Sequence, residues 1–211
     1  MSQDLVPQFN TPAVNSDEFN AIVSGGDFLA RFQLFGSKTD AVAEGKIPVA
    51  HYGLVKGDDI MDLGPEVDVV IITWRSKAVQ IKPEFVISHT VKSELFQKIK
   101  AMSTVKDSGC MYGPELLLWL PEAGVFAVYH MNSMTARREF KSTVCKLIGK
   151  AATFKVHLID NKRYKWHGAL ALPCSAPLTV PSEDIINKEA AKFLNPETPE
   201  PEIAPEDDRA R

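Results

Sequence analysis

The chain has 211 residues, 45% hydrophobic and 24% charged, a balance that suits one globular domain of roughly 150–180 residues plus tails. No run of about 18 apolar residues occurs, so a transmembrane helix is not expected; Cys110, Cys145 and Cys174 are odd in number and widely spaced, which argues against a disulfide framework or a zinc ribbon. The net charge of −3 conceals a split: 183–211 hold nine acidic and four basic residues, whereas 131–168 hold nine Lys/Arg against Glu139 and Asp160, a local +7.

Residues 1–18 are polar, contain Pro7 and Pro12, and read as a loose arm. They lack a basic n-region and an apolar h-region, so no secretory signal is expected. "SGGDFLARFQLFG" (24–36) alternates like a strand between glycines, and "IPVAHYGLV" (47–55) reads as a second one. "KGDDIMD", with Asp58, Asp59 and Asp62, reads as a polar loop. "VDVVIITWRSKAVQIK" (67–82) is long and β-branched, as a buried central strand would be. Residues 83–109 form an insertion in which Leu95, Phe96, Ile99 and Met102 recur at helical spacing after a Ser93 cap.

"YGPELLLWLPE" (112–122) and "AGVFAVYHMN" (123–132) read as a hairpin turning at Gly124, with Pro114 at the strand's start. "SMTARREFKSTVCKLIG" (133–149) is an amphipathic helix on which Phe140, Val144, Leu147 and Ile148 share a face, with Cys145 expected in the core beside them. "KAATFKVHLIDNKRYKWHGALALPC" (150–174) reads as a second hairpin turning near Asp160-Asn161. "SAPLTVPSED" reads as a linker, 182–194 as a short helix, and the Pro/Glu-rich remainder as disordered. The expected fold is mainly β with one or two helices: an OB-like small barrel or a twisted antiparallel sheet spanning 19–180. Residues 181–211 would form a short helix and an acidic tail.

No P-loop, HExxH, GxSxG or GxGxxG is present, and the five histidines lack metal-ligand spacing. No cofactor is expected. Nucleic-acid binding has more support, because single-strand binders need cations that track phosphates and rings on which bases stack. Trp74, Tyr129, Tyr164 and Trp166 are the ring candidates. Arg75, Lys77, Arg137, Arg138, Lys150, Lys155, Lys162, Arg163 and Lys165 are the phosphate candidates. "NKRYKWHG" (161–168) concentrates the question: its two rings either belong to the core or lie at a binding surface.

This layout, a strand-rich OB-like body, a basic face and six carboxylates in 195–208, resembles the single-stranded DNA-binding proteins of tailed phages. The likeness is one of layout rather than of motif. It departs at the end, where such tails close on acidic residues and an aromatic but this chain reads Arg209-Ala210-Arg211. The resemblance implies sequence-independent binding of single-stranded DNA in replication or recombination, with the tail docking replication or recombination proteins. It also implies a host-cytoplasmic location and no membrane; self-association stays open. A non-enzymatic virion or assembly protein is the first alternative. A metal-dependent enzyme acting on nucleic acid, using Asp58, Asp59 and Asp62, is the second.

Overall fold

The computed structural model describes residues 29–162 and 164–195. The N-terminal arm, the beginning of the expected first strand, Arg163 and the acidic tail lie outside the described residues. Nine strands follow in chain order: β1 Ala30–Phe35, β2 His51–Lys56, β3 Asp59–Gly64, β4 Glu66–Gln80, β5 Val86–Ser88, β6 Cys110–Leu120, β7 Val125–His130, β8 Lys150–Asp160 and β9 Lys165–Pro173. Helices α1 (Asp40–Ala43), α2 (Glu94–Met102), α3 (Met134–Ser142) and α4 (Glu183–Leu194) interrupt them.

The strands join in one sheet ordered β3-β2-β1-β7-β6-β4-β8-β9, with β5 added to the end of β4. All ladders are antiparallel except β1 with β7, which run parallel and pair only at Ala30–Ala127 and Arg31–Val128. The sheet curls into a half-barrel. The curl brings β2 to β8, which are far apart in strand order. The Tyr52 hydroxyl donates to the Lys155 carbonyl at 3.3 Å, and the Tyr52 and Phe154 ring centroids lie 6.2 Å apart. Phe32 stacks on Tyr52 at 4.9 Å and meets Tyr129 edge-on at 5.3 Å. Such aromatic pairs contribute about 0.5–1.5 kcal/mol each beyond their burial, so four rings from β1, β2, β7 and β8 hold the curl.

Local chemistry sets the helix starts. Ser93 accepts from the Phe96 N–H at 3.2 Å, and Ser133 accepts from the Ala136 N–H at 3.1 Å. Both are N-caps that satisfy an otherwise orphaned donor. The helix expected over 133–149 stops at Ser142. A 3₁₀ turn, Val144–Lys146, takes over and still buries Val144 and Leu147 against the sheet. That change of path turns Cys145 outward; it is exposed, not packed in the core.

The "KGDDIMD" stretch is no loop. A two-residue turn with Gly57 at φ +61° sends it back as β3. Asp62 there accepts from the His51 ring at 2.9 Å and from the Gly64 N–H at 2.8 Å. Pro114 lies inside β6 opposite Ser76, just past the last β6–β7 pair, Glu115–His130. The 175–181 stretch is irregular but anchored. Its Thr179 carbonyl accepts from the Trp119 indole at 2.8 Å, and Val180 is buried. From there α4 lays Phe193 over Val70, Leu117, Trp119 and Phe126, so the folded body extends through α4. No described helix is long and apolar enough to cross a membrane.

Candidate nucleic-acid interface

The last hairpin outruns the sheet. β8 pairs with β4 only over Lys150–Lys155, whereas its pairing with β9 continues to Asp160–Lys165. The distal half is therefore a two-stranded ribbon with no further strand beside β8. Three of its apolar side chains are exposed: Leu158 is 56% exposed, Tyr164 71% and Trp166 36%. Ribbon cations Lys162 and Lys165 are exposed, and Lys165 spends part of its charge on Asp160 at 2.9 Å. Asn161 shapes the tip by accepting from the Tyr164 N–H at 2.7 Å.

Helix α3 flanks this ribbon. The Glu139 carboxylate accepts the Ala171 N–H of β9 at 3.0 Å, occupying part of an edge that would otherwise be open. Gly168 leaves room inside the ribbon itself: a Cβ there would lie 2.6 Å from Ile159 Cδ1 and 3.2 Å from His157 Cε1 of β8. Arg138, Lys141, Lys146 and Lys150 are exposed along α3 and the turn after it. Beside the first turn of α3, where β1 and β7 part, a cleft of about 640 Å³ opens. Arg31, Lys77, His130, Thr135, Trp166 and His167 are among its walls.

Several sequence candidates are placed elsewhere. Tyr129 is buried among the core rings, and burial pushes its hydroxyl pKa up; no base can stack on it. Arg75 and Lys77 do not face solvent as free cations. Both turn to Glu115, which is 1% exposed: Arg75 Nε donates to it at 2.8 Å and Lys77 Nζ pairs with its other oxygen. Arg75 also lies 4.1 Å over the Phe193 ring and donates to the Phe193 carbonyl. Burial alone would raise the Glu115 pKa, but the Lys77 and Arg75 charges hold it below the usual carboxylate range. His130, paired across from Glu115, is held neutral: burial first and the Lys77 charge next lower it to about 4. Lys155 pairs with Glu66 at 2.7 Å. The phosphate set is thus thinner than the sequence suggested. Arg137, Arg138, Lys150 and Lys162 remain without ion pairs among the described residues, Arg137 being bonded only to backbone carbonyls.

Trp74 is 40% exposed and rests one side on Phe140 at 4.9 Å. Arg137 lies 4.3 Å over the Tyr112 ring. Tyr112 and Lys100, which the sequence did not single out, join these two in a second pocket. Nothing local in the sequence pairs them, because α2 and α3 are about 40 residues apart and meet only through the sheet. Glu115 was equally hidden, as a lone carboxylate in an apolar strand. Among the described residues no three His, Cys, Asp or Glu side chains are gathered as a metal site.

Comparisons with known protein families, with curated proteins and with solved structures find no match to this chain.

Proposed function

We propose that this chain binds single-stranded DNA without sequence preference, as an accessory protein of phage-like replication or recombination. The observation that carries the reading is the projecting β8–β9 ribbon. It exposes Tyr164 and Trp166 beside cations, where a core role would have hidden both rings. Rings supply a π-face that any base can use, and Lys/Arg neutralise phosphate, so the pair of features favours strand binding over base readout. The groove between the ribbon, α3 and β1 is the path the strand would follow.

The test is a fluorescence-anisotropy titration with labelled oligo-dT at about 50 and 200 mM salt. Counterion release predicts affinity that falls steeply between the two. No binding at the lower salt would sink the reading. A second reading, a non-enzymatic virion or assembly protein, is favoured by β3, which ends the sheet with one side unpaired among the described residues. It predicts large homo-oligomers in light scattering and indifference to DNA.

A further inference from the structure

We propose that the pocket between α2 and α3 is a nucleobase slot, in which one unstacked base of the bound strand lies on Trp74 and its phosphate meets Arg137 and Lys100. The proposal rests on the single-stranded DNA reading above and adds a second contact point to it, away from the ribbon.

The pocket holds about 200 Å³, and none of its lining residues is acidic. It does contain two cations and three aromatic rings besides Trp74, which gives it the charge of an anion site and the walls of a ring site. Trp74 offers the platform. Phe140 supports one side of the indole, and the side chain is still 40% exposed. By contrast Arg75, its neighbour on β4, is committed to Glu115.

Arg137 is pre-organised for an anion. Its guanidinium lies over Tyr112 at 4.3 Å. Nη1 donates to the carbonyls of Tyr112, at 3.0 Å, and of Asn132. Those two bonds use Nη1 and leave Nη2 and Nε without a partner among the described residues. A planar fork held on one side with its other donors open suits a phosphate oxygen pair. Lys100 reaches the same ring from α2, its Nζ 5.7 Å from the centroid. A base in this slot would gain stacking and cation contacts together.

The experiment uses the full chain and two strands of equal length: oligo-dT, and the same backbone with abasic sites throughout. Trp74→Ala should weaken oligo-dT binding about tenfold and leave abasic binding unchanged. Trp74→Phe should recover much of the loss. Lys100→Ala should weaken both strands, because phosphate is common to them. Thermal unfolding of each variant separates binding from folding, and Trp74→Phe remains usable if Trp74→Ala is destabilised. A third arm titrates dTMP against the Trp166→Phe chain, which removes the ribbon's indole, and follows tryptophan fluorescence, with quenching expected there and absent once Trp74→Phe is added. Oligo-dT binding that is identical in parent and both Trp74 variants overturns the slot while leaving the DNA reading intact. Failure of the parent to bind any oligonucleotide, with dTMP still quenching Trp74, would instead sink the strand-binding reading and keep the slot. Absence of both signals overturns both.

Discussion

The Trp166 indole N–H on β9 donates to Thr135 Oγ1 in the first turn of α3, at 3.3 Å. That contact lies at the mouth of the cleft where β1 leaves β7, so it sets the orientation of an exposed ring by one weak bond to a helix. The ring is held but not buried, the condition for a stacking surface that costs little ordering when a base arrives.

Trp166→Ala should therefore cost affinity rather than stability. A stacking contribution of about 1–3 kcal/mol is expected to disappear from the oligo-dT titration. Thermal unfolding should show a loss smaller than the roughly 3–5 kcal/mol of removing a core ring, because the side chain is 36% exposed. A large drop in Tm with unchanged affinity would place the ring in the core.

Removing the Glu115 side chain should be strongly destabilising. It is buried and neutralises both Arg75 and Lys77. Glu115→Ala leaves two cations facing a carboxylate-free interior, and breaking a buried pair costs about 3–5 kcal/mol. Urea unfolding of the variant measures this. A loss below about 1 kcal/mol would show that the cations escape to water without penalty.

Stability should fall on mild acidification through His130. Its pKa is about 4 in the fold, against an ordinary value of 6.5. Above about pH 6.5 the group is neutral folded or unfolded and contributes no pH dependence. Between there and pH 4 the unfolded chain takes the proton and the folded chain does not. Unfolding free energy should thus drop by about 2 kcal/mol from pH 7.5 to 5, before Glu115 begins to titrate. His130→Asn should reduce that slope and leave the share of His89, whose pKa burial also lowers.

Removing residues 196–211 should tighten DNA binding at low salt and change little at high salt. The segment carries six carboxylates in 195–208, while Arg138, Lys150 and Lys162 stand exposed on the body. Charges that compete for the same cations are screened beyond about 10 Å at 0.1 M salt. Equal affinity of the truncated and full chains at every salt would leave the segment with no role in binding.

Much of the secondary structure was legible because its causes are local. Ser93 and Ser133 cap helices through bonds to residues three positions on, and the two late hairpins turn at Gly124, whose φ is positive, and near Asn161, whose side chain accepts from the Tyr164 N–H. β-branched runs marked β4 and the alternation of apolar residues marked β1. The mainly β class followed from those elements together.

The placement of side chains around the sheet was decided only by tertiary structure, because it depends on which surfaces meet. Tyr129 and Trp166 look alike in sequence, each an aromatic in a strand. The first faces rings from β1 and β8 inside the curl. The second lies on a ribbon that has run past the sheet. Arg75 and Lys77 likewise read as free cations until strand register sets Glu115 beside them. The basic segment was visible as a count of charges along the chain. Which of those charges are paired was settled by where Glu66, 89 residues before Lys155, and Asp160, across the ribbon's turn from Lys165, come to lie.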